Sequence, residues 1–426
     1  STPPKPPADH RELATAQGLF TTSTYSPGSP LLLPNGADMF IKLTSFLRSL
    51  YPQFGFREVI TPTIYKQSLW ERSGHWVNYA EDMFAVRGRG ATGSTAGEAG
   101  EDEEFGLKPM NCPGHCLLFA SEKRSYRDLP VRFADFSPLH RNEISGALSG
   151  LTRVRRFHQD DGHIFCRPAQ IEAEIKRTME FIQLVYSDVF DLGPYRLVLS
   201  TRPTDNFIGT IAEWDAAEAQ LTRALDSTGR EWTLNAGDGA FYGPKIDVIL
   251  RDSDGKEHQT ATIQLDFQLP QRFGLSYTAP APELEAHGAV GPDTDPELLA
   301  TSGSVTPVII HRAVLGSLER FLALLIEHYN GRYPLWLSPR PMIFLTVGQS
   351  EAELAALQRV VEQVPGNAPF ADVGRRGEAL LHVETDTSAR GLGKKVHEAK
   401  AAGYNIIGVV GPRDAVKGTV SLEVGG

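Results

Sequence analysis

Cys112, His163 and His311 stand far apart in the chain, each inside a stretch dense with charged and polar residues. One thiolate and two imidazoles make a zinc site with a coordination position left open, the arrangement of catalytic rather than structural zinc. Between them run His140-Arg141-Asn142-Glu143 and the segment 153–161, which carries Arg153, Arg155 and Arg156. Guanidinium forks suit phosphate oxygens, so this assembly could hold a triphosphate beside the metal. The chemistry implied is that of an enzyme that grips a small ligand through zinc.

Such side chains need rigid elements. Arg141 and Glu143 alternate as on one strand face, and Phe157, Gln159 and Asp161 alternate as on another, after a loop containing Gly146 and Gly150. The pair predicts a long hairpin offering an Arg fork to a phosphate, a carboxylate to an amine, and Phe157 to a base. A solvated strand would also alternate charge, but the run 159–163 adjoining apolar Ile164-Phe165 is hard to explain as surface. Residues 311–320 have helical spacing, with His311 and Leu315, and Gly316 and Arg320, one turn apart. Gly316 would cost such a helix about 1 kcal/mol against Ala, which points to a close approach of backbone or nucleotide. His311 alone would read as a capping or core residue; the company of Arg320 favours a site.

The chain has 426 residues, enough for two or three domains, with 41% hydrophobic and 22% charged content, as in globular proteins. Apolar runs such as 321–326 are too short to span a bilayer. Ser1 to His10 has no secretory pattern and no initiator Met, and reads as a processed end. Three cysteines are too few for a disulfide framework and suggest a reducing compartment. Cys116 and Cys166 read as buried hydrophobes, with Cys116, one helical turn from Cys112, alternatively a spare thiol by the metal. A net charge of −10 argues against broad nonspecific nucleic-acid binding. The clusters Arg153/Arg155/Arg156 and Arg390/Lys394/Lys395 leave room for an RNA partner.

Composition breaks divide the chain into a tail and approach (1–30), a main domain (31–338) with surface insertions at 88–104 and 280–304, and a terminal module (339–426). Met39, Phe40, Leu43, Phe46, Leu47 and Leu50 predict an amphipathic helix from Gly36. Residues 56–65, broken by Pro62, predict an edge or interface strand. After Ser338-Pro339-Arg340-Pro341, apolar strands (342–347, 404–410) alternate with helical stretches (351–364, 392–402), which predicts a small α/β domain.

Motifs spread over about residues 20–425 carry a specific resemblance: Ser73-Gly74-His75-Trp76, Lys108-Pro109-Met110-Asn111-Cys112-Pro113-Gly114-His115, His140 to Glu143, Gln159 to His163, Phe241-Tyr242-Gly243-Pro244-Lys245-Ile246-Asp247, Gln264-Leu265-Asp266-Phe267 and His311 to Phe321. The chain resembles the threonyl-tRNA synthetases, class II aminoacyl-tRNA synthetases. The resemblance implies an α+β fold, an antiparallel sheet flanked by helices for catalysis followed by an α/β anticodon-binding domain, and a homodimer through residues 56–70. It implies that Cys112, His163 and His311 hold zinc, whose coordination the amino and hydroxyl groups of threonine complete. Valine lacks that hydroxyl and would leave the metal unsatisfied. Met110, Gln159, Asp161, Tyr242 and Lys245 would surround threonine.

ATP with Mg²⁺ would lie bent across the strand face, Arg141 on the α-phosphate, Arg153 and Arg320 on the γ-phosphate, Glu143 on the adenine edge and Phe157 on its face. Gln259 also matches a nucleotide-site position. Arg141, Arg320 and Lys245 would act in adenylate formation, which needs no base because the attacking carboxylate is ionised. His75 matches the position that assists proton removal during transfer to tRNA(Thr), for which a near-neutral pKa suits; the alternative is a structural His beside Trp76. Nothing before Leu19 could form the seryl-tRNA hydrolysing domain of bacterial-type relatives, although serine keeps both zinc-binding groups. That organisation resembles fungal mitochondrial members and implies the mitochondrial matrix, with the cytoplasm as alternative. The terminal module is shorter than in such relatives. A zinc hydrolase would leave Arg141, Arg153 and Arg320 without a role, and a catalytically silent paralogue would show a broken triad or a lost arginine.

Overall fold

The computed structural model describes residues 8–87, 104–364 and 381–424. The insertion expected at 88–104 therefore lies, apart from Glu104, outside the described residues, as does the start of the tail. Contacts divide the chain into two compact units, one of residues 22–30 with 46–324, the other of residues 1–21, 31–45 and 325–426.

The larger unit is built on a nine-stranded sheet of β1 (Arg57–Glu58), β2 (Val131–Asp135), β3 (Pro138–His140), β4 (Arg156–Cys166), β5 (Arg196–Ser200), β6 (Trp232–Asn235), β7 (Lys245–Arg251), β8 (Glu257–Asp266) and β9 (Val308–Ser317). Its order is β6-β5-β7-β8-β9-β4-β2-β1, with β3 paired to β4. Every pair is antiparallel except β5–β6 and β1–β2. The central strands β4 and β9 are covered on both faces, which explains their apolar stretches Ile164-Phe165 and Val308-Ile309-Ile310.

Residues 311–317 are strand, not the helix expected from spacing; helix begins only at Leu318 (Leu318–His328). The branched residues Val308, Ile309, Ile310 and Val314 favour a pleated surface, and Gly316 adopts a positive φ of 71° that no helix interior accepts. The expected hairpin forms, Pro138 opposite His158 and His140 opposite Arg156. Arg141 and Glu143 lie just past its end rather than on the strand, Arg141 donating its backbone N–H to Arg155 O at 2.9 Å.

Two expected excursions are ordered. Residues His10–Gln17 form a helix capped by Asp9, whose side chain accepts from Arg11 N, and closed by Gly18 at φ 64°. Segment 280–304 contains helices Pro282–Ala286 and Pro296–Leu299. There the buried Glu285 accepts two bonds from Arg167 and one from Tyr277, fastening its start, while 296–302 stay exposed. The amphipathic helix spans Pro34–Phe54, with Met39, Leu43 and Leu47 fully buried.

In the smaller unit, β10 (Met342–Thr346), β11 (Val383–Asp386), β12 (Ile406–Val410) and β13 (Ser421–Val424) form a sheet of order β11-β10-β12-β13, parallel except for β13. Helices Glu351–Gln363 and Leu392–Ala401 supply the expected alternation. Ile343 and Leu345 join one apolar cluster with Ala399, and Phe344 joins another with Leu357, as successive β10 residues on opposite faces must. Strands β11 and β13 carry too little apolar signal to be expected from sequence. Among the described residues no helix is long and apolar enough to cross a membrane.

Candidate active site

A cavity of about 550 Å³ opens in the larger unit over β4, β7, β8 and β9. Helix α1 (Cys112–Ala120) begins at its floor with Cys112, while His163 of β4 and His311 of β9 are register partners and so project side by side. One donor atom from each of Cys112, His163 and His311 lies within 4.8 Å of the others. His163 Nε2 is 2.9 Å from His311 Nδ1. Behind them, His311 Nε2 meets Asp266 Oδ2 at 2.8 Å, and the backbone N–H groups of Gln268 and Leu269 bond Asp266 Oδ1 at 2.7 and 3.0 Å. His163 Nδ1 is 2.7 Å from His115 Nδ1.

Burial pushes the His163 pKa well below its usual value, which keeps that imidazole neutral as a metal ligand must be. Burial pushes the Cys112 thiol well above its usual range, so only a cation would hold it as thiolate. A soft sulfur, two imidazoles and a carboxylate behind one of them fit zinc. Cys116 lies among Phe119, Phe165 and Ile309, an ordinary core residue rather than a fourth donor.

Beside the trio, Asp161 accepts from Asn111 Nδ2 at 3.0 Å, and burial raises its pKa. Tyr242 donates to Gln264 Oε1 at 2.8 Å, its ring 5.0 Å from that of His311. Lys245 Nζ sits 2.9 Å from Asp247, which also accepts from Gln259. At the other end, the Arg141 guanidinium lies 5.0 Å from the Phe157 ring and 5.8 Å from that of Tyr79. Arg153 pairs with Glu143 at 2.8 Å, and Arg320 donates to the carbonyls of Thr152 and Gln259, both at 2.9 Å. Burial lowers the Arg320 pKa, and the like charges of Arg141 and Arg153 add to that. Three guanidiniums crowded this way favour a polyanion between them.

Every candidate drawn from the sequence lines this cavity except His75: Met110, Cys112, Arg141, Glu143, Arg153, Phe157, Gln159, Asp161, His163, Tyr242, Lys245, Gln259, His311 and Arg320. His75 is fully buried beneath it, its Nδ1 on Ser73 Oγ at 2.8 Å and its Nε2 3.2 Å from Met110 Sδ. Burial, with the charges of His311 and Arg141, pushes its pKa down to about 3, so the expectation of a near-neutral base is corrected. Its aromatic neighbours are Trp70 and Phe241. Asn111, His115, Asp247 and Asp266 were missed as supporting residues. All four sit in motifs the resemblance rests on, yet only proximity shows which side chain each holds.

The antiparallel sheet and its cavity define a class II aminoacyl-tRNA synthetase. Residues 96–286 match the tRNA synthetase class II core domain (G, H, P, S and T), and residues 372–424 match an anticodon binding domain. The "Probable threonine--tRNA ligase, mitochondrial" of Schizosaccharomyces pombe is 46% identical over 419 residues, 97% of this chain and 84% of that protein. Human cytoplasmic threonine--tRNA ligase 1 is 47% identical over 97% of this chain and 51% of its own length. Thus the chain spans most of the yeast relative and about half of the cytoplasmic ones. A crystal structure titled as the RNA binding domain of threonyl-tRNA synthetase from Cryptosporidium parvum superposes with a TM-score of 0.81 at 45% identity, covering 98% of this chain and 92% of that one. The chain belongs to the threonyl-tRNA synthetases, the threonine–tRNA ligases.

Proposed function

We propose that the cavity joins threonine to AMP and then to tRNA(Thr), with zinc on Cys112, His163 and His311 selecting the amino acid. The meeting of that trio with Arg141, Arg153 and Arg320 in one cavity carries this reading. Zinc there supplies ligation for the amino and hydroxyl groups of threonine, which valine could satisfy only in part. Asp161, turned inward by Asn111, accepts from the amino group, with Met110, Gln159, Tyr242 and Lys245 around it. Arg141 meets the α-phosphate, where charge builds as the threonine carboxylate attacks and pyrophosphate leaves. Arg153 and Arg320 hold the γ-phosphate, Glu143 the adenine edge and Phe157 its face, with Gln259 alongside; Mg²⁺ accompanies ATP as in class II synthetases generally. Catalysis is then positioning and charge neutralisation.

The catalytic domain is residues 31–338, approached by 1–30, and residues 339–426 are the anticodon-binding domain. A homodimer through 56–70 agrees with the exposure of Ile60, 88%, and Ile64, 45%. The likeness to the mitochondrial yeast relative favours the mitochondrial matrix, and the equally similar cytoplasmic relatives keep the cytoplasm as alternative. Amino-acid-dependent pyrophosphate exchange tests the core of this: strong with threonine, weaker with serine, absent with valine. Exchange with serine alone, or with none of the three, overturns it.

A further inference from the structure

The chemistry above makes no use of Asp160, a carboxylate with no exposed side-chain surface. Phe157, Gln159, Asp161 and His163 of β4 line the cavity, so Asp160 projects through the opposite face of the sheet. On that face something unusual happens to the neighbouring strand. β9 pairs with β4 residue for residue from Val308–Cys166 to Ala313–Asp161, and its next partners are Ser317 and Gln159. Four steps along β9 are thus matched by two along β4, a bulge. The Asp160 carboxylate holds it: Oδ2 accepts from Val314 N at 2.7 Å, and Oδ1 from Leu315 N at 2.8 Å and Gly316 N at 3.1 Å. Arg312 Nη1 balances the charge at 2.9 Å, its guanidinium 4.1 Å from the Phe56 ring centroid.

The bulge leads straight into the nucleotide end of the cavity. Gly316 has φ 71°, and a Cβ there would come within 2.2 Å of Thr260 O, so the turn has little freedom. Helix α2 (Leu318–His328) follows at once and carries Arg320. A second back-face residue of β4, His158, grips the start of that helix, with its N 2.9 Å and its Nδ1 2.8 Å from the Glu319 carboxylate. We propose that Asp160 is a positioning residue for adenylate formation, clamping the β9 bulge so that α2 delivers the Arg320 guanidinium to the phosphates of ATP. This rests on the reading of Arg320 as a nucleotide contact.

Asp160→Asn keeps the shape but replaces one accepting oxygen by a donor facing the amides or Arg312. In threonine-dependent pyrophosphate exchange the KM for ATP should rise about tenfold or more, as small misplacements do. The KM for threonine and the zinc content should stay unchanged, because Asp161 keeps its ladder partners and Asn111. Combined with Arg320→Ala, the loss should be less than the product of the two single losses. In the wild-type holoenzyme, the amides of residues 314–316 should exchange as slowly as those of the β9 core. Equal rises in both KM values, multiplicative losses in the double variant, or fast exchange at those amides would each overturn the proposal. If Arg320→Ala alone leaves the KM for ATP unmoved, the nucleotide reading of Arg320 fails instead, and the amide exchange still tests the clamp.

Discussion

At the end of the cavity proposed for the amino acid, Cys112, His163 and His311 are 2%, 1% and 6% exposed, and both imidazoles make a second contact that aims them. At the end proposed for the nucleotide, the Arg153 side chain is 53% exposed and is paired with a single carboxylate, Glu143. The first end is set before any ligand arrives, as discrimination between near-isosteric amino acids requires, since a buried polar group left unmatched costs far more than an exposed one. The second end, in the proposed reading, meets a ligand that brings its own large charge, for which the solvent-screened guanidinium of Arg153 suffices. Arg320 stands between the two cases: its guanidinium is held by the carbonyls of Thr152 and Gln259, and its backbone lies in the first turn of α2, directly after the β9 bulge.

The sharpest way to break this contrast is Cys112→Ala, which should lower threonine activation by about a thousandfold or more while ATP still binds, read by pyrophosphate exchange beside nucleotide titration. Undiminished activity would remove the metal from the amino-acid end. Asp266→Asn should weaken zinc affinity by about 10–100-fold, measured by chelator competition on the purified protein; equal affinity would mean that His311 needs no aiming.

A third test concerns Asp135, beneath the same end. Burial there works to raise its pKa, but the His115 imidazole 3.6 Å away, hydrogen bonds from Ser137 and Thr61 and the charge of Lys108 outweigh it and hold it at about 2. A depressed carboxylate stabilises the fold above its unfolded value and loses that contribution as pH falls through the folded one. Between pH 4 and pH 2 this group should therefore cost the native protein about 2 kcal/mol, and Asp135→Asn should flatten the urea-unfolding stability curve in that window. An unchanged slope would show that the hydrogen bonds do not set the charge. The smallest effect is expected from Arg153→Ala: stability within about 1 kcal/mol of wild type, because the pair is exposed, and a KM for ATP raised severalfold. A loss as large as that of Cys112→Ala would show the nucleotide end to be as preorganised as the floor.

Residue chemistry and local pattern determined a good deal by themselves. The guanidinium cluster, the β3–β4 hairpin and the α/β alternation after Pro341 are visible because each depends on residue type or on a period within one element, whereas the donor trio, spread over three elements, is a set that the family motifs imply. The helix proposed for 311–320 failed because an i,i+4 spacing is silent about neighbouring strands; pairing with β4 and β8 on both sides satisfied that backbone as strand instead. His75 kept its place near the site but lost its expected basicity, since a pKa depends on what surrounds the ring, and Trp70, Phe241 and Met110 surround it. Likewise, no spacing rule links Asp160 to the amides of residues 314–316 or Asp266 to His311. Those contacts join residues at least 45 positions apart, and only the folding of the sheet brings them within hydrogen-bonding distance.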